Sequence, residues 1–297
     1  MTATLTETLL ILLKVAVAGI ILAIGMDSTL KDATYLWQRP GLLLRSVLAM
    51  YVLVPLAALA LVKVLTLAPG VEIGLLVLAV SAGAPLLPRK LMKIGDGAYI
   101  FSLVVTSSLL AILLVPAWLA VLGALFDFPV SLRPDRAALV LAKSFLLPLA
   151  LGMVVRRLFP AIAERVGSRL MAIAGLVLTA CALTLLILHW DILIIARWSG
   201  VLTLAGLVGI SLAIGHLLGG PAEDDRTALA IACATRHIGI AVLIAASVPG
   251  PRTSVLVAFY TLTSAVISIP YLRWRRRASA SRVRPHGPDE LRGSPAN

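Results

Sequence analysis

The sequence predicts an all-α polytopic membrane protein of nine transmembrane helices, arranged as inverted repeats in which two broken helices cross. Three observations lead there. Hydrophobic residues make up 60% of the chain against 13% charged, with a mean hydropathy of +1.02, which excludes an ordinary soluble domain. Windows of about 20 residues find nine apolar segments. Arginine stands inside two of them, where an ionised guanidinium costs about 2.5–3.5 kcal/mol and so faces a bundle interior or a water-filled path.

Taken in order, the expected spans lie near 8–26, 42–62, 72–94, 98–122, 137–158, 170–189, 199–219, 227–247 and 253–273. Lys14 interrupts the first, and no small-residue cleavage pattern follows before Asp27, so it reads as a helix and not as a signal peptide. Lys14 and Lys143 are read as snorkelling near outer ends. The third span carries Gly83, Pro85 and Pro88 followed by Arg89, and two prolines remove backbone donors there. The fourth places Ser102 and Thr106 one helical turn apart on a shared face. His189, Trp190 and Asp191 read as an interface belt after the sixth span. The eighth holds Arg236 and His237, and Gly239 is its one weak breaker. Cys181 and Cys233 fall inside spans as small buried hydrophobes, so no disulfide is expected.

The net charge of +12 sets orientation more than partner choice. Fifteen Lys and Arg residues fall in one set of connections and five in the other, which puts the N-terminus outside and the C-terminus in the cytoplasm of an inner membrane. The basic residues flank spans without interleaved aromatics, which argues against nucleic acid as a partner. The stretch from Arg275, rich in Arg, Ser, Pro and Gly, reads as a disordered tail suited to anionic lipid headgroups.

Matching the first four spans to the last four gives an odd offset of five, so matched helices run in opposite directions, as in inverted-repeat transporters. The third span then pairs with the eighth, the two that carry internal arginines. A crossing of broken helices leaves unpaired backbone groups at membrane depth, tolerable only in a protein interior or a wet cavity.

Several short pieces, in their order and spacing, resemble the bile acid:sodium symporter superfamily from about Gly19 to Trp274. They are Gly25-Met26-Asp27-Ser28-Thr29-Leu30, like the family's Gly-Met-x-x-Thr-Leu; Val54-Pro55; Gly83 with Pro85; Ser102 to Ser108; and the run from Arg236 to Ala241, where the family has Gln-Asn-Ser-Gly-Leu-Ala. The resemblance implies a ten-helix fold lacking here its first helix. Residues 1–274 then form the transmembrane domain, with core-type helices at about 42–122 and 199–273 and panel-type helices at about 8–26 and 137–189. Residues 275–297 form the tail. Substrate is expected in the cleft between panel and core, with alternating access by movement of one against the other.

The sodium ligands implied by the resemblance do not carry over. The family's Ser-Asn pair falls on Pro88 and Arg89, its second-helix Gln on Met50, its acidic ligand on Ala232 and its Gln on Arg236; only Ser102 and Thr106 match. A guanidinium about 5 Å from a sodium ion repels it by roughly 3 kcal/mol at an effective dielectric of about 20. Arginine is therefore expected where sodium would stand.

The expected function is secondary transport of a small organic anion, not coupled to sodium. Arg236, Arg89, His237, Ser102 and Thr106 are the candidate substrate-binding residues, since guanidinium groups fork well around carboxylates. Each has a plainer reading. Arg236 is structural if helix carbonyls meet its charge, Arg89 snorkels, His237 packs, and the two hydroxyls bond back to their own helix. A sodium symporter using residual hydroxyls and carbonyls, and a sensor that binds without translocating, are the other readings. Neither His-Glu-x-x-His nor Gly-x-Ser-x-Gly occurs, so no enzyme, metal or cofactor is expected.

The topology is checked by single-cysteine accessibility. Positions in 127–136 should react with impermeant reagent from outside and those in 160–168 from inside; reaction of both from one side overturns the span count.

Overall fold

The computed structural model describes residues 2–82, 97–126, 134–248 and 252–282. Helix α1 spans Thr2–Met26, and the short α2, Leu30–Thr34, begins at a capping box in which Thr29 and Asp32 exchange side-chain and backbone bonds. Helix α3, Pro40–Leu48, continues through a π-helical turn, Ala49–Leu53, into α4, Val54–Val64. Then come α5 (Pro69–Val80), α6 (Gly97–Phe126), α7 (Pro134–Leu158), α8 (Pro160–Leu188) and α9 (Trp190–Leu218), the last interrupted at Arg197 by a positive φ. Helices α10 (Glu223–Thr235), α11 (Ile238–Ala245) and α12 (Arg252–Arg282) complete the chain. Pro40, Pro69, Pro134 and Pro160 each stand first in a helix, where the missing N–H has no intrahelical partner to lose.

Among the described residues, eight helical stretches are long and apolar enough to cross a bilayer, and α5, with 12 residues, is a shorter apolar helix. Contacts at the helix ends show that neighbours in sequence alternate in direction. Thr6 Oγ1 lies 2.9 Å from His189 Nε2, joining the start of α1 to the end of α8. Lys63 Nζ sits 4.6 Å from the Phe126 ring centre, joining the ends of α4 and α6. The Arg252 side chain lies beside Gly70, so α5 and α12 start on one face, whereas α2 is bonded to the first turns of α6 on the other. Helix α5 ends partway through, at the level of the α10–α11 break, where His237 N–H donates to Ser81 O at 2.8 Å.

Two helix groups face each other. One is formed by α1 lying along α7 and α8. The other gathers around α10 and α11, whose span is 89% buried against 22–56% for the remaining spans. Each group contains a backbone-to-backbone crossing that only glycine permits. A Cβ on Gly152 would meet Leu22 O at 2.2 Å and one on Gly25 would meet Leu149 O at 2.4 Å, so α1 and α7 touch through their main chains. Gly215 of α9 and Gly219, which caps its end, do the same against Ala230 and Arg226 of α10. Without a hydrophobic difference between lipid and side chain, such close approach is how membrane helices gain packing.

Three boundaries differ from the sequence reading. Helix α1 begins at Thr2, so Lys14 lies at its centre and not near an outer end. Helix α12 runs through Arg282, and Arg275, where the tail was expected to start, is 3% exposed. The cause is a set of fixed partners: Arg275 donates to Thr227 Oγ1 and Glu223 O and forms an ion pair with the Glu223 carboxylate. The third span is described only as far as Ala82; Pro85, Pro88 and Arg89 lie outside the described residues.

Gly152→Leu should force α1 from α7. Overpacking of this kind costs about 1–3 kcal/mol, so the purified variant is expected to melt several degrees lower in a detergent thermal-shift assay. An unchanged melting temperature would contradict the main-chain contact.

Candidate functional site at the helix crossing

Pro55 explains the first half of the site. In the π turn, Val54 N–H donates to Ala49 O, five residues back; the next such donor, to Met50 O, would be residue 55, which has no N–H. Met50 O is therefore free. Pro55 equally has no N–H for Tyr51 O, and Trp118 Nε1 donates to that carbonyl instead, at 2.9 Å. Helix α5 supplies more acceptors. Its last turn closes tightly, with Ser81 N–H on Val77 and Leu78 and Ala82 N–H on Val80, and its final carbonyls point onward.

Arg236 meets these acceptors. It is 0% exposed, and its Nε donates to Leu78 O at 2.9 Å, its Nη1 to Met50 O at 3.2 Å, and its Nη2 to Ala79 O. One guanidinium thus ties α5 and the π turn to the α10–α11 break. Its own backbone is strained, with φ 51° and ψ 169°, a conformation that costs a non-glycine residue about 1–3 kcal/mol. Without a proline at the break, these tertiary bonds are what hold it open. Tyr260 Oη donates to Ala234 O at 2.8 Å, satisfying the end of α10.

The other half of the site belongs to His237. Its Nδ1 accepts from Ile240 N–H at 3.2 Å and caps α11. The hydrogen-bond network therefore assigns the proton of the neutral ring to Nε2. That Nε2 is buried without a partner among the described residues. The ring also lines a cavity of about 290 Å³ between α1 and α7 on one side and α6 and α11 on the other, and the Phe145 ring meets it edge-on at 5.7 Å. Gly239 keeps this wall low, since a Cβ there would stand 2.9 Å from Val17 and 3.2 Å from the His237 ring. Lys14, Lys143, Ser108 and Ser144 are the remaining polar side chains of the lining, which holds no Asp or Glu among the described residues.

The residues singled out in the sequence thus separate. Arg236 is absent from the cavity lining and His237 is in it. Ser102 Oγ accepts from Leu36 N–H at 2.8 Å and donates to Ala33 O at 2.9 Å, pinning the α2 region to α6. Thr106 Oγ1 is buried, unpartnered among the described residues, and faces a void of about 10 Å³ shared with Met50 and Tyr51. Arg89 lies outside the described residues. Lys14 and Lys143 line the cavity, whereas the sequence reads them as snorkelling near outer ends, and Ser144 beside them carries no sequence signal; for Lys14 the cause is a first span begun at residue 8. Counting from Thr2 places Lys14 mid-helix, which is the signal that finds it.

An all-helical membrane bundle with a broken helix crossing the end of another, beside a cavity between two helix groups, has the build of a secondary transporter. The chain belongs to the Sodium Bile acid symporter family, whose family profile matches residues 14–197, a membrane transporter family. The match ends at Arg197, short of the Trp274 expected from the sequence and before the Arg236 break. No curated protein sequence matches the chain at a significant level.

Arg236→Met should leave the carbonyls of Ala79 and Met50 without the guanidinium donors and Leu78 O with Ser81 N–H alone, at about 1–3 kcal/mol for each group unpaired. The expected outcome is a melting temperature lower by roughly 5 °C or more, with Arg236→Lys intermediate because an ammonium cannot fork across three acceptors. A stable Arg236→Met protein would show that the bonds do not hold the crossing.

Proposed function

We propose that the chain is a secondary carrier for a small organic anion, working by alternating access between its two helix groups in an inner membrane, N-terminus outside and C-terminus cytoplasmic, without sodium coupling and without covalent chemistry. The observation that carries this is the position of Arg236. Its guanidinium occupies backbone carbonyls at the end of a broken helix, acceptors of the kind that a hard cation takes as ligands. A fixed positive charge there both satisfies them and repels a second cation.

The cavity supports an anionic substrate. Its polar side chains are two lysines, two serines and the His237 Nε2 donor, set in an otherwise apolar wall, the mix expected of a small-molecule site. Ser108 already donates to Val104 O at 2.8 Å, so Lys14 and Lys143 are the groups able to offset a negative charge, and the His237 Nε2–H adds a hydrogen bond to it. Lys14 comes from α1 and His237 from the α10–α11 break, so a bound anion touches both moving groups.

The unpartnered Thr106 hydroxyl favours one second reading, a residual sodium site beside Met50. Uptake into proteoliposomes separates the two. Flux of a carboxylate substrate should be unchanged when sodium is replaced by potassium or choline at constant ionic strength, which holds screening fixed. A saturable tenfold stimulation by sodium, about 1.4 kcal/mol of coupling, would establish the symporter reading, and binding without uptake a sensor. Lys14→Gln and His237→Gln should each raise KM at least severalfold, and wild-type kinetics in both would reject the cavity as the substrate site.

A further inference from the structure

Below the glycine contact of α1 with α7, the two chains part. The α1 chain leaves through Ser28 and Thr29 into α2, while α7 runs on to Leu158. Between them lies a groove of about 770 Å³ that shares no residue with the His237 cavity. Its upper wall is apolar, made by Ala150, Met153 and Val154, and its rim carries Lys31 from α2 with Arg156 and Arg157 from the last turn of α7. Basic residues in a last helical turn also suit the helix dipole. Lys31, however, comes from a different element, and a solvated helix end has no need of a recess.

We propose that this groove is a binding site for an anionic phospholipid, with the phosphate between Lys31 and Arg157 and an acyl chain along Met153 and Val154. Two features select a lipid over a soluble anion. The basic rim stands where the apolar flank of α7 ends, at headgroup height, and that flank is bare, with Leu151 51%, Val154 50% and Leu158 62% exposed. The groove is therefore continuous with a lipid-facing surface. Arg156 already pairs with Glu164 at 3.2 Å, which leaves Arg157 and Lys31 as the rim cations without an ion pair among the described residues.

The seat also joins two elements that are distant in sequence. Arg157 belongs to α7, whereas Lys31 belongs to α2, which Ser102 ties to α6. A lipid held by both links α7 to α2 and, through Ser102, to the first turns of α6.

The test uses the full chain in phosphatidylcholine nanodiscs and reads saturable binding of a fluorescent phosphatidylglycerol, with fluorescent phosphatidylcholine as reference. It needs no substrate, so it stands or falls apart from the transport reading. Phosphatidylglycerol should be preferred roughly tenfold or more, the scale expected of two basic contacts. The preference should vanish in Lys31→Gln/Arg157→Gln and in Met153→Trp, which fills the recess and keeps the charges. Arg165→Gln/Arg169→Gln, on the adjoining α8 and outside the groove, should retain it. Loss of preference in the α8 pair, or its survival in either groove variant, overturns the site in favour of general surface attraction. Full competition by soluble glycerol phosphate would make it a site for free anions and equally overturn the lipid.

Discussion

A carbonyl oxygen at the end of a helix inside a bilayer has no water to turn to, and each one left bare costs several kcal/mol. The structure concentrates such oxygens where α5 stops and where the π turn before Pro55 frees Met50 O, and it meets them with the guanidinium of Arg236. Much else depends on that match. It holds the α10–α11 break open against backbone strain, brings His237 N–H to Ser81 O, and places the His237 ring at the wall of the cavity. A lysine would meet one or two of the acceptors; only the planar fork spans three elements.

Division of labour between neighbours follows. Arg236 spends its donors inward on the backbone, while His237 uses Nδ1 to start α11 and presents Nε2 to the cavity. The charge that makes the crossing possible is thus separate from the donor that faces the cavity. The cavity takes its own charge from the opposite helix group, from Lys14 and Lys143.

The fold was legible because hydropathy is a property of long segments: the spans emerge from composition, and the broken eighth helix was located by the cost of one buried arginine. Within the site the sequence misled in a specific way. A buried arginine announces that something negative is near, and it does not say whether that is a substrate carboxylate or the protein's own carbonyls; the free Met50 O depends on a π turn that no periodicity reveals. Ser102 reads as a site hydroxyl from its spacing, yet it bonds Leu36 and Ala33, 66 and 69 residues away. Lys14 was visible as an interruption and misplaced in depth, since the start of an apolar helix is less sharply marked than its middle. Arg275 was assigned to a tail because composition does not register a partner such as Glu223.

Arg236 is covalently part of the chain, so in the proposed alternating-access cycle the charge it lends the crossing returns with the protein and is never delivered. Net charge displaced per cycle is then that of the cargo alone. For a monovalent anion and an interior held 100 mV negative, each outward passage is favoured by about 2.3 kcal/mol, between one and two orders of magnitude in concentration ratio. On the reading proposed above, a carrier whose cation is built in draws on the membrane voltage in place of a sodium gradient, and for an anion that voltage acts outward.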